Sequence, residues 1–195
     1  MLTVENTTTW LVTFTDKITQ QTAYLSELDQ AIGDGDHGSN MARGTTAMKA
    51  KLENTAFTSV SELFKVAAMT LISTVGGASG PLYGSAFLAM SKQAEASTED
   101  VPAIIKAGLE GIQKRGKAER GEKTMVDVWA AALDALDTNT LTHHTIEEAV
   151  HETKHIQATK GRAAYLADRS VGHLDPGAVS TGYLFEAMLE GDIIQ

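Results

Sequence analysis

Apolar residues recur at helical steps along most of the chain. Leu11, Phe14, Ile18, Leu25 and Leu28 follow one another at steps of three, four and seven, the pattern of one buried face on a long first helix ending before Gly33. A second helix is predicted from Ser39 to Leu52 through Met41 and Met48. Ser59 with Glu62 reads as a capping box opening a third, through Leu63, Val66 and Leu71 to a stop at Gly76–Gly77. Gly80–Pro81 restarts the chain, with Pro81 suited to a first helical position. Ser97, Asp100 and Pro102 open a fifth helix carrying Val101, Ile104, Ile105, Leu109 and Ile112. A sixth begins near Thr124 and covers Val126 to Leu136. Thr145 with Glu148 reads as a further capping box, for a seventh helix through Val150 and Ile156 that bends at Gly161. Asp175–Pro176 starts the last, with Val179, Leu184 and Met188 on one face. No segment alternates as a strand does. The expectation is one all-α domain over residues 1–195 with eight amphipathic helices. Short connections favour antiparallel up-and-down packing. A four-helix core cannot use eight apolar faces, so a ring or barrel of helices is the geometric alternative.

The 195 residues include 16 Lys+Arg against 25 Asp+Glu, a net charge of -9, which gives no general attraction to nucleic acid or anionic lipid. There are no cysteines, which removes thiol catalysis, disulfides and cysteine-based zinc sites and fits a cytoplasmic setting. Apolar runs are short and interrupted, and the N-terminus lacks the basic-then-apolar order of a signal peptide, so neither a membrane span nor secretion is expected.

Candidate chemistry concentrates in a few stretches. In LDQAIGDGDHGSN, from Leu28 to Asn40, Asp29, Asp34 and Asp36 lie within eight residues. Three carboxylates so close repel unless a cation sits among them, and all-oxygen ligation points to a hard ion, magnesium before calcium. An EF-hand needs Glu twelve positions in, where this chain has Asn40. The plainer alternative is a solvated acidic turn with Asp36 as an N-cap. The stretch runs into His37, Gly38, Ser39 and Asn40, a helix start of the kind that binds phosphate oxygens, although His37 alone reads equally well as a polar loop residue. GGASGPLYG, from Gly76 to Gly84, has more glycine than a tight turn needs, and Ala78 and Ser79 are expected against a ligand. Gly116, Gly121, Lys123 and Thr124 imitate a Walker A motif, but Glu122 adds one residue and no strand precedes it, which leaves at most a pocket-lining loop. Arg162 offers a planar fork for phosphate, against the alternative of a surface pair with Asp168. Asp175–Pro176–Gly177 is a helix start that allows close approach, with simple N-capping by Asp175 as its alternative. His173 reads as a loop residue, and Trp129 as core.

LDQAIGDGDHGSN, GGASGPLYGSAF, GEKTMVD and GRAAYLADRSVGHLDPGA together resemble the nucleotide-binding subunits of dihydroxyacetone kinases, from Leu28 to the last helix. That resemblance implies a barrel of eight antiparallel helices with ADP or ATP at one end and magnesium, two ions, on its phosphates. By position, Asp29, Asp34 and Asp36 match the metal ligands. His37, Gly38, Ser39, Asn40, Ala78, Ser79, Arg162, Asp175, Pro176 and Gly177 match nucleotide contacts, and Gly116, Thr124 and Met125 fall where further pocket residues lie. A single helix before Leu28 leaves no room for a substrate domain. The resemblance therefore implies a separate dihydroxyacetone-binding subunit, and a phosphohistidine protein that rephosphorylates bound ADP with phosphoenolpyruvate as ultimate donor. The alternatives are a subunit that exchanges ADP for ATP in a triose or tetrose kinase, and a regulatory module without turnover.

Overall fold

The computed structural model describes residues 1–194. Among them are nine α-helices and no strand: α1 Val4–Gln20, α2 Thr22–Ile32, α3 His37–Glu53, α4 Val60–Thr74, α5 Ser79–Ala96, α6 Val101–Gly116, α7 Met125–Asp137, α8 His143–Glu152 and α9 Pro176–Glu190. Two 3₁₀ segments, Thr153–His155 and Arg162–Ser170, connect α8 to α9.

The long first helix expected from the sequence is two helices, because the chain breaks at Gln21 (φ -105°, ψ 16°). Both halves keep the same apolar face, with Leu11, Phe14, Ile18 and Leu25 fully buried, so the periodicity carries no mark of the break. The other starts follow local capping chemistry, with four shifts. Ser59 Oγ accepts from Glu62 N, but Glu62 reaches back to Thr58 rather than Ser59. Helix α5 already begins at Ser79, two residues before Pro81. Asp100, not Ser97, caps α6 through the amide of Ala103. The box at α8 is Thr142 with Thr145, not Thr145 with Glu148: the Thr142 hydroxyl accepts from Thr145 N, and the Thr145 hydroxyl accepts from Thr142 N. Helix α8 also stops at Glu152, and the segment through Gly161 is 3₁₀ rather than a bent continuation.

One apolar cluster runs through the molecule. Trp10 meets Phe64 edge-on, and Trp129 meets Phe185 in the same way. Each indole N–H is satisfied inside the core, Trp10 on Leu184 O (2.7 Å) and Trp129 on Ile105 O (2.8 Å). Helix α1 packs on α3 and α9, and α3, α4, α5, α6 and α7 pack in succession. Helix α7 touches both α8 and α9, and α8 touches α9, so the order of neighbours closes on itself. Helix α2 stands beside this ring against α3, α9 and the segment Arg162–Ser170. A small second cluster of Ile32, Ala158 and Ala163 fastens that segment to the end of α2.

Candidate nucleotide and metal site

A cavity of about 540 Å³ opens at one end of the ring. Four helices begin there. Its wall includes His37 and Asn40 from α3, Ala78 and Ser79 at the start of α5, Thr124 and Met125 at the start of α7, and Asp175, Pro176 and Gly177 at the start of α9. The last residue of α6, Gly116, and Asp29 and Ile32 from the end of α2 complete it. Helix starts carry unpaired N–H groups and the positive end of the helix dipole, so four together favour an anion.

The acid cluster lies on this wall. Oxygen atoms of Asp29, Asp34 and Asp36 can all be found within 4.8 Å of one another. Asp29 is buried, and its Oδ2 accepts the backbone N–H groups of Asp36 (2.9 Å) and His37 (3.0 Å). It therefore caps α3 from the preceding helix. Asp36 occupies the N-cap position but makes no side-chain capping bond, which removes the plain-cap reading and leaves its carboxylate free. The Asp29 approach depends on Gly33, where a methyl group would fall 2.1 Å from Asp29 Oδ1. Burial pushes the Asp29 carboxyl up, and the neighbouring charges of Asp34 and Asp36 push it further. A divalent cation relieves that repulsion, and a set of carboxylate oxygens with no sulfur or imidazole ligand fits magnesium.

Arg162 pairs with Asp34 at 2.9 Å, not with Asp168. The Ile32–Ala158–Ala163 cluster brings residues far apart in sequence side by side. The guanidinium stays largely exposed at the cavity mouth. Asp175 Oδ2 accepts from Ala178 N (2.7 Å), so its capping role is real, and burial raises its carboxyl to about 7.

Two expected wall residues lie elsewhere. His37 and Asn40 share one helical face, while Gly38 and Ser39 between them point away. Gly38 serves close packing of α3 on α2, since a methyl group there would fall 2.0 Å from Thr22 O. Ser39 is exposed and donates its hydroxyl to Asp36 O at 3.0 Å.

In the sequence, Lys123 is legible only as a false P-loop lysine. It is 1% exposed, lines the cavity, and donates Nζ to the carbonyls of Thr153 and His173. It ties the connections around α8 to the start of α7. Burial lowers its pKa, while Asp175 and Asp127 act in the opposite direction. Beneath the wall lies a group that no sequence motif announces. His37 Nε2 is 3.0 Å from Ser180 Oγ, and Ser180 Oγ is 2.8 Å from the Tyr83 hydroxyl. Burial lowers the His37 pKa to about 4, so the ring is neutral at pH 7.

An all-helical ring with a carboxylate cluster among helix starts defines a class of metal-assisted phosphate-binding folds, and comparison with known proteins gives the family. Residues 31–190 match the DAK2 domain, and the chain belongs to that family. It is 58% identical to the PTS-dependent dihydroxyacetone kinase ADP-binding subunit DhaL of Lactococcus lactis, across 97% of this chain and 98% of that protein. It is 51% identical to the ADP-binding subunit DhaL of PEP-dependent dihydroxyacetone kinase 1 of Listeria innocua, across 94% of each. The dihydroxyacetone kinase of C. freundii, solved in complex with AMP-PNP and Mg2+, shares the fold with a TM-score of 0.77 at 24% identity, over 98% of this chain and 34% of that one.

Proposed function

We propose that this chain is the ADP-binding subunit of a dihydroxyacetone kinase that takes its phosphoryl group from phosphoenolpyruvate by way of a phosphohistidine protein. The observation that carries the reading is the meeting of four helix starts and three carboxylates in one cavity. The near full-length match to subunits named for ADP binding and for PTS or PEP dependence supports it. Asp29, Asp34 and Asp36 hold magnesium, two ions, against the phosphates of ADP. His37, Asn40, Ala78, Ser79, Gly116, Thr124, Met125, Arg162, Asp175, Pro176 and Gly177 form the nucleotide's walls. When bound, Mg–ADP supplies the phosphoryl-carrying group and the charge neutralisation that phosphoryl transfer requires. Dihydroxyacetone sits on a separate subunit, which docks over the cavity mouth.

The closed order of neighbours supports a barrel of eight antiparallel helices, α1 and α3 to α9, folded as one domain with α2 alongside. Helices α3, α5, α7 and α9 begin at the cavity, while α4 and α6 bring their C-terminal ends to it. That alternation is the up-and-down arrangement. The wall residues then act by position. Helix starts orient phosphate oxygens, Arg162 offers its fork at the mouth, and Met125 gives a soft apolar face.

The test is the nucleotide itself. Protein purified by gel filtration should retain ADP by absorbance and mass spectrometry, and should pass phosphate from phosphoenolpyruvate to dihydroxyacetone when the partner subunits are added. Stripping with EDTA and dialysis should lower the melting temperature, since a ligand at a thousand times its dissociation constant stabilises by about 4 kcal/mol. Protein that is empty and turns over only with added ATP supports the ATP-exchanging alternative. Absence of transfer together with an unchanged melting curve overturns both kinase readings.

A further inference from the structure

The donors and acceptors of the buried polar group under the cavity follow from a count of its hydrogens. Ser180 Oγ lies 3.1 Å from Gly177 O, which only accepts, so the single hydroxyl hydrogen of Ser180 is committed there. Its lone pairs then receive the other two neighbours, the Tyr83 hydroxyl at 2.8 Å and His37 Nε2 at 3.0 Å. Tyr83 has given its hydrogen to Ser180 and accepts from Thr181 Oγ1 at 3.1 Å. Tyr83, Ser180 and Thr181 are fully buried, and no buried side-chain polar atom among the described residues lacks a partner. The arrangement therefore has one consistent set of donors. His37 carries its hydrogen on Nε2, and its Nδ1 is an acceptor. The atom facing Nδ1 is Ser79 Oγ, at 3.2 Å, which must donate to it.

Ser79 is the first residue of α5 and lines the cavity. Its hydroxyl hydrogen is used on His37, so toward the cavity Ser79 Oγ has lone pairs only. We propose that Tyr83 and Ser180 are positioning residues that fix the tautomer of His37 and thereby present Ser79 Oγ to the cavity as an acceptor. An acceptor there is mismatched to a phosphate oxygen and suits a water molecule bound to the cation held by the acid cluster. Phosphate is left to the backbone N–H groups at the start of α5, where no side chain supplies a cap. This assignment rests on the proposed Mg–ADP reading for its ligand, and on the chain alone for the tautomer.

Two measurements test it. The ¹⁵N shifts of the His37 ring in ligand-free protein should show a single Nε2–H tautomer. In Ser180→Ala, Nε2 loses its acceptor and the Nδ1–H form should become populated, while Ser180→Thr, which restores a hydroxyl, should return the wild-type spectrum. A wild-type ring protonated on Nδ1 overturns the proposal without any variant. Calorimetric titration of stripped protein with Mg–ADP gives the second arm. Ser79→Ala and Ser180→Ala should each weaken binding by about tenfold, the scale of one lost buried hydrogen bond. If Ser180 acts through Ser79, adding Ser180→Ala to Ser79→Ala should cost less than about twofold more. Independent, multiplying losses overturn the relay. Should Ser180→Ala fail to fold, Tyr83→Phe enters the same cycle. Wild-type protein that binds no Mg–ADP defeats the functional reading instead, and the ring spectrum still decides the tautomer.

Discussion

Two cavities of nearly equal size, about 540 Å³ and about 560 Å³, lie in this molecule and differ in what they leave undone. The larger lies between α7 and α8, on a floor of Ala131, Ala135, Ala149 and Ile156. Its polar rim is mostly paired already: Arg120 with Asp134 at 2.6 Å, Glu148 with His144 at 3.3 Å, and Asp127 with the amides of Gly121 and Thr124. The smaller collects three carboxylates that repel one another and a helix start, that of α5, with no side-chain cap. Volume does not separate them. Unspent electrostatics does, because a fold retains repelling charges where a ligand compensates them.

The largest expected effect breaks that comparison directly. Asp34→Ala and Asp36→Ala should each reduce phosphoryl transfer by about a hundredfold or more, because poorly compensated phosphate charge acts on the transition state. Their helical circular dichroism should stay intact, since both carboxylates are exposed and neither caps α3. Asp134→Ala on the rim of the other cavity should leave transfer unchanged. Near-normal turnover in both cluster variants would remove the metal assignment.

Arg162 gives a smaller effect and sharpens which ligand the mouth recognises. Lysine keeps charge beside Asp34 but loses the planar fork. Arg162→Lys should lower transfer by about tenfold with ADP retention little changed, because geometry at the transferring group is what it disturbs. Arg162→Ala should lower both. The pair with Asp34 is mostly exposed on the arginine side, and as an ion pair alone it contributes about 0–1 kcal/mol. Wild-type kinetics in Arg162→Ala would reduce it to that pair.

The smallest effect is one of pH. Asp175 titrates near 7 in the folded chain because burial disfavours its charge, against a carboxylate's ordinary 3.8 when unfolded. Between those values the folded state holds the extra proton, so ligand-free stability from this group is full below about pH 4 and is lost as pH rises toward 7. Denaturant melts of stripped protein across that range should show this decline, and Asp175→Asn, which keeps a capping oxygen, should flatten it. An identical slope in wild type and variant would place the proton elsewhere.

The sequence by itself determined the helices and most of the chemistry. Helical periodicity and capping are local, so α3, α4, α6, α7 and α9 begin within two residues of where Asp, Ser, Thr and Pro signal them. The carboxylate spacing in Asp29, Asp34 and Asp36 is likewise local, and their cluster needs only one turn between two helices. What a helix start cannot state is which face of each residue meets which neighbour. Gly38 and Ser39 share a motif with His37 and Asn40 but turn from the cavity, because successive residues rotate by about 100° around a helix. The break at Gln21 is invisible for a related reason: α1 and α2 bury the same kind of face on either side of it. Only the tertiary structure placed Arg162 on Asp34, Lys123 under two distant carbonyls, and Ser180 against His37 across 143 positions of sequence. Those partners come from different helices that meet only when the ring closes. Their hydrogen bonds are set by burial and packing, which no local pattern records.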